Sequence, residues 1–170
     1  MSVSSEATAP TVSHMLGEVT WLLTQSPLHR ALAIGDLEGL VMPALLAEQF
    51  YIFRDGDRPV GLAMWARTTT EGEAKLGRGM IEPANRLTLA EWQSGDRLWL
   101  VDLVAPFANE ENRHREVMMA DLIAGPLAGH AFSFHRIDAA GARTVQHVEA
   151  DASVRLMEAV RSATADAGHA

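Results

Sequence analysis

Two side chains far apart in the chain could carry proton chemistry. His29 lies in Ser26-Pro27-Leu28-His29-Arg30, where a helix must break at the proline. A histidine titrates near ~6.5, which suits proton transfer at neutral pH. A lone histidine at a helix break can equally be a surface or capping residue. Asp102 lies in Arg97-Leu98-Trp99-Leu100-Val101-Asp102-Leu103-Val104. Two-residue alternation places it on the face of Leu98, Leu100 and Val104. A carboxylate on an apolar strand face is costly unless paired or hydrogen-bonded. Three readings fit it: a face turned to solvent, an ion pair with an arginine, or a carboxylate that orients a histidine and stabilises its protonated form.

Weaker signals surround these two. Ser26 could be a nucleophile, a hydrogen-bond donor or a helix cap, and the cap is the simplest reading. Ser133-Phe134-His135-Arg136 alternates along a predicted strand, where Arg136 could bind phosphate or pair with a carboxylate. The seven histidines form no HxxxH or HExxH pair, so no metal site is expected. There is no GxGxxG and no P-loop. The four tryptophans, Trp21, Trp65, Trp92 and Trp99, read as core or interface residues.

The elements that must hold these residues follow from periodicity. Met15, Leu16, Val19, Leu22 and Leu23 recur at helical spacing behind a Ser13 cap, and Pro27 ends that helix. A second helix runs from Leu37 to Glu48, bent or restarted at Pro43. Phe50 to Phe53 and Val60 to Trp65 form a hairpin around Asp55-Gly56-Asp57. Thr88-Leu89-Ala90-Glu91 has capping-box spacing for a short helix. Leu98 to Val104 is a strand, Glu111 to Ala124 a helix, and Phe132 to Ile137 with Thr144 to Val148 a second hairpin. Asp151 caps a last helix reaching about Ser162. The predicted fold is a single α/β (α+β) domain over 13–162, with a twisted, mostly antiparallel mixed sheet flanked by helices. Residues 1–12 read as a disordered leader and 163–170 as a frayed tail.

Composition narrows the function. The 170 residues are 48% hydrophobic, enough to bury a core. No cysteine is present, which removes disulfides, thiolate nucleophiles and zinc-thiolate sites. The net charge of -8 opposes nucleic-acid binding, and no apolar run is long enough to span a bilayer.

Several fragments together resemble one family. Gly17-Glu18-Val19-Thr20-Trp21-Leu22 followed by Ser26-Pro27-Leu28-His29-Arg30 is similar to the opening of the RTX toxin-activating lysine acyltransferases. The similarity continues at Pro43-Ala44, Gln49-Phe50, Pro59-Val60, Trp65-Ala66 and Glu71-x-Glu73-x-Lys75. It is strongest at Ser94-Gly95-Asp96-Arg97-x-Trp99-x-x-Asp102-x-x-Ala105-Pro106-Phe107, and spans about Leu16 to Val148 in collinear order. The chain departs from the pattern at Leu40, where an asparagine is expected. It also departs at Arg113-His114-Arg115 and Met118-Met119, where a basic run is thinned.

The resemblance implies a fold like the GCN5-related N-acetyltransferases and a bacterial cytoplasmic enzyme that can dimerise. It implies transfer of a fatty acyl group from acyl carrier protein to internal lysines of an RTX protoxin, with no bound cofactor. The essential histidine and aspartate of the family map to His29 and Asp102; Ser26 and Arg136, read from the chain itself, are candidate supporting residues. Acyl carrier protein is acidic, so a chain of charge -8 must dock it through a local basic patch. Arg113, Arg115 and Arg143, with Arg136, are the candidates. Two rivals are an acyl-CoA-dependent N-acetyltransferase-like enzyme and a non-catalytic chaperone or binding module for a secreted partner. The first usually needs a glycine-rich turn before a helix, and Gly77-Arg78-Gly79 does not clearly precede one.

Overall fold

The computed structural model describes residues 10–138, 140–152, 154, 155 and 158. The first helix, α1, spans Val12–Gln25. Its cap is Thr11, whose side chain accepts from the His14 N–H, rather than Ser13. The helix therefore starts one residue before Ser13, inside the predicted leader; residues 1–9 and the 163–170 tail lie outside the described residues. Pro43 does restart the second helix. α2 covers Leu37–Leu40 and α3 covers Met42–Leu46, with Pro43 in the first turn of α3, where its missing N–H costs nothing.

Strand β1 (Phe50–Asp55) turns through Gly56, at φ 57, into β2 (Arg58–Thr68). The left-handed value at Gly56 suits a tight two-residue hairpin turn. A helix that periodicity did not predict, α4 (Thr70–Arg78), follows directly. Its signals were local: Thr69 caps it by accepting from Gly72 N–H, and Glu71 and Glu73 occupy its first turn. The predicted capping box forms as expected in α5 (Leu89–Trp92), where Thr88 and Glu91 satisfy each other's backbone N–H groups. Strand β3 (Arg97–Val104) leads to α6, which begins at His114 rather than Glu111 and ends at Ala124. Asn109 and Asn112 hold the backbone of the intervening turn through their side-chain oxygens, delaying the helix. β4 (Phe132–Ile137) and β5 (Arg143–Val148) form the second hairpin. Ala150, Asp151, Ala152, Val154, Arg155 and Glu158 are helical, and the other positions of the predicted last helix lie outside the described residues.

The five strands form one open sheet in the order β1-β2-β3-β4-β5. Only β3–β4 is parallel. The architecture is α+β, a mixed and mostly antiparallel sheet with helices on both faces. One core layer joins Val19, Leu22 and Leu45 from the N-terminal helices to Leu62, Met64 and Trp99 of the sheet. The other packs Met118, Leu122 and Ile123 of α6 on Leu98, Leu100 and Phe132. Trp21 and Phe107 stack at 5.7 Å between ring centres, with the Arg58 guanidinium 4.5 Å over Phe107. The two sequence motifs thus meet in space.

Candidate active site

The site begins with a break in strand alternation. On β3, Leu98 and Leu100 belong to the layer under α6, as does Leu103. Trp99, Val101 and Val104 belong to the opposite layer, under α1. The expectation that Asp102 shares a face with Leu98 and Leu100 is therefore corrected; it keeps only Val104. The cause is a β-bulge. Trp65 pairs with Leu100 and Met64 with Asp102, so Val101 has no opposing residue on β2. An extra residue shifts the side-chain phase by one, and Val101 and Asp102 both turn toward the α1 layer. The parallel pairing with β4 also ends at Leu100, where it meets Phe134.

His29 comes to meet Asp102 from the end of α1. Pro27 cannot continue the helix, and the backbone N–H groups of His29 and Arg30 both donate to the Ser26 carbonyl, closing a tight turn. His29 Nε2 lies 2.9 Å from Asp102 Oδ2, and His29 Nδ1 lies 2.7 Å from Ser26 Oγ. Ser26 is both the C-cap of α1 and the second partner of the imidazole. The His29 side chain is 19% exposed and Asp102 32%, whereas Ser26 is only 6% exposed. Since a carboxylate only accepts, the resting contact puts a proton on Nε2, and the Ser26 hydroxyl then donates to Nδ1. Of the three readings of Asp102, the one in which it orients a histidine matches this geometry.

His29 and Asp102 lie on the wall of a cavity of about 510 Å³. The lining is mostly apolar: Leu23, Leu28 and Leu32 around the His29 turn, Leu40 and Val41 from α2 and its end, Met64 and Val101 from the sheet, and Met80, Ile81 and Pro83 beyond α4. Its size and its few convergent polar groups are those of a small-molecule site. One wall is braced by Arg86, which donates to Asp36 at 2.9 Å and to the carbonyls of Met80 and Ile81. Arg86 thereby holds Asp36 below the usual carboxylate range, with the Ala33 N–H adding to the effect. Leu28 and Ile81 line the cavity yet are 64% and 61% exposed, which places them at its mouth.

The other predicted residues separate into two groups. Arg143, at the start of β5, lines the cavity. Arg113 and Arg115 are exposed near the start of α6, on the opposite face of the sheet. Arg136 is exposed on β4 and is not among the lining residues. Its neighbour His135 donates to the Leu76 carbonyl at the end of α4 and sits edge-on to Trp99, which explains that histidine structurally. Sequence reading missed Val101, Met80, Ile81 and the Asp36–Arg86 brace. None of them carries a motif, and the bulge that presents Val101 has no glycine to betray it.

Comparison with known proteins bears on this geometry. The chain is 38% identical over 104 residues to a leukotoxin-activating lysine-acyltransferase, LktC serotype A11, of Mannheimia haemolytica, covering 61% of this chain and 60% of that one. It is 33% identical over 96 residues to the RTX-II toxin-activating lysine-acyltransferase ApxIIC of Actinobacillus pleuropneumoniae, covering 56% and 58%. It is 36% identical over 95 residues to the protein-lysine myristoyltransferase HlyC of Escherichia coli, covering 56% and 54%. The chain thus spans little more than half the length of the curated relatives it matches. The family model of the RTX toxin acyltransferases reaches further, from residue 8 to residue 150. That stretch takes in every strand of the sheet together with His29 and Asp102, and on that extent the chain belongs to the RTX toxin acyltransferase family.

Proposed function

We propose that this chain transfers a fatty acyl group from the thioester of acyl carrier protein to lysine side chains of an RTX protoxin, with His29 as general base and Asp102 as its partner. The observation that carries the reading is the Ser26–His29–Asp102 hydrogen-bonded line on the wall of an apolar cavity. The cavity suits a fatty tail, whose burial is worth about 0.8 kcal/mol per methylene. The relatives support the acceptor: one is a toxin-activating lysine-acyltransferase, and another transfers a myristoyl group to protein lysine.

A lysine amine titrates near about 10.4, so freeing it at pH 7 costs about 4.6 kcal/mol. Base assistance recovers about 10²- to 10⁴-fold in rate. Ser26 is too buried for a substrate amine to reach Nδ1, so the working edge of His29 is Nε2. The incoming ammonium enters between Nε2 and Asp102, giving one proton to the imidazole and a hydrogen bond to the carboxylate. For Nε2 to accept, the ring proton resides on Nδ1 and is donated to Ser26 Oγ. The amine nitrogen then bonds to the thioester carbonyl carbon; as the adduct collapses the C–S bond breaks, the departing thiolate takes the proton that His29 holds, and the freed imidazole takes the second amine proton and releases it to solvent. Backbone N–H groups at the Val101 bulge are the candidate donors to the developing oxyanion.

The test is a reconstituted transfer: this chain, protoxin and an acylated carrier protein, read by intact mass and peptide mapping. The expected result is an added acyl mass on lysine that is absent with His29→Ala. Protoxin bound but unmodified would favour a binding module instead. Transfer from acyl-CoA but not from the carrier protein would favour the acyl-CoA enzyme.

A further inference from the structure

The cavity holds three groups that can carry positive charge, and two are already committed. His29 bonds Ser26 and Asp102, and Arg86 bonds Asp36 and two carbonyls. The third, Arg143, is exposed, lines the cavity, and makes no ion pair or side-chain hydrogen bond among the described residues. Its Nη1 lies over Gly79, 3.3 Å from where a Cβ on that residue would sit. Gly79 is buried, has φ 89 and caps the end of α4, so its conformation disfavours a side chain while the guanidinium lies close above it.

A purely structural role for Arg143 would be to cap the carbonyl end of α4. Those carbonyls have other partners: Asn85 Nδ2 donates to Gly79 O at 3.1 Å, and His135 Nε2 to Leu76 O at 2.8 Å. The negative end of α4 thus favours the cation at this position while leaving its hydrogen-bonding fork unspent. A planar guanidinium free at the edge of an apolar cavity, with the reacting dyad elsewhere on its wall, matches a long donor that is apolar at one end and anionic at the other.

We propose that Arg143 is the anchoring site for the phosphate on the pantetheine arm of the acyl donor. The inference rests on the acyltransferase reading. It assigns to this chain a phosphate subsite at the junction of the α4 end and β5, apart from the helix-N-terminal loop that usually takes pyrophosphate. The same phosphate chemistry could come from a carrier protein or from coenzyme A.

The test compares donors carrying one acyl chain on three thiols: acyl carrier protein, coenzyme A and N-acetylcysteamine, which has no phosphate. In Arg143→Ala, kcat/KM for at least one phosphate-bearing donor should fall about tenfold or more relative to the N-acetylcysteamine thioester, as loss of a charge-assisted hydrogen bond implies. The loss should lie mainly in KM, and Arg143→Lys should restore part of it. The donor that suffers the loss identifies the source of the phosphate. A calorimetric arm needs no turnover: wild type should bind 4′-phosphopantetheine more tightly than pantetheine, and Arg143→Ala should erase the difference. Equal losses on all three donors, or no preference for the phosphorylated arm, would overturn the proposal. Continued turnover of the N-acetylcysteamine thioester would meanwhile leave the acyltransferase reading intact.

Discussion

At the scale of single residues, one imidazole is held from both sides, by Ser26 and by Asp102. His29→Ala is expected to abolish acyl transfer with little change in the circular dichroism spectrum or melting temperature, because the ring is partly exposed and its turn is closed by backbone hydrogen bonds. Near-normal turnover would remove His29 from the reaction. Ser26→Ala keeps the backbone cap but deletes the partner of Nδ1, so kcat should fall about tenfold with KM little changed, in line with the net worth of one hydrogen bond. A rise in KM alone would place Ser26 outside the chemistry. Asp102→Asn leaves the shape in place and should also remove most activity; unfolding instead would make Asp102 structural. The sequence marked all three residues, but left His29 and Asp102 with bland readings as well. Their contact spans 73 positions of chain, which no periodicity encodes.

At the scale of elements, two kinds of joint tie neighbouring elements together. Gly95 in the Ser94-Gly95-Asp96 motif passes so close to β2 that a Cβ would lie 2.4 Å from the Thr68 carbonyl oxygen. Backbone cannot yield as a side-chain tip can. Gly95→Ala should therefore cost about 1–3 kcal/mol, read as a lowered midpoint in denaturant titration. The motif was legible in the sequence, but its reason is the approach of the turn before β3 to the end of β2. Ion pairs make the second joint. Arg54 of β1 holds Glu18 of α1 at 2.6 Å and lowers its pKa below 4.5, and Lys75 of α4 does the same to Glu91 of α5. A lowered carboxylate pKa adds stability above the unfolded value, and that stability is lost as pH falls through the folded one. Wild type should thus lose melting temperature faster than Glu18→Gln as pH drops below about 4.5. The difference should be modest because Arg54 is partly exposed. Parallel curves would mean that the α1–β1 pair does not contribute.

At the scale of the whole molecule, the cavity belongs to no single element. Its walls come from the α1 turn, α2, the bulged β3, the segment after α4 and the start of β5. If it holds the acyl tail, narrowing it should select shorter chains. Leu40→Trp is expected to lower kcat/KM for a 16-carbon donor more than for an 8-carbon donor, by about fourfold for each methylene displaced. Equal losses for both lengths would place the tail elsewhere. Charge is also a property of the whole: the chain carries -8, yet Arg143 presents at the cavity edge a cation that has no ion pair among the described residues. The proposed acidic or phosphate-bearing donor would then be met by local rather than net charge.

The sequence by itself determined the order of nearly every strand and helix, the hairpin turns, the proline restart, the capping box and the family. These depend on periodicity and on residues with narrow backbone preferences, and both are local. Only the tertiary structure decided which face Asp102 takes, because a bulge is a mismatch between two strands and is invisible in either one alone. It alone separated Arg143, which borders the cavity, from Arg113 and Arg115 across the sheet and from Arg136 outside the lining. Arginines of one composition class acquire different surroundings through the packing of distant segments, which spacing along the chain does not record.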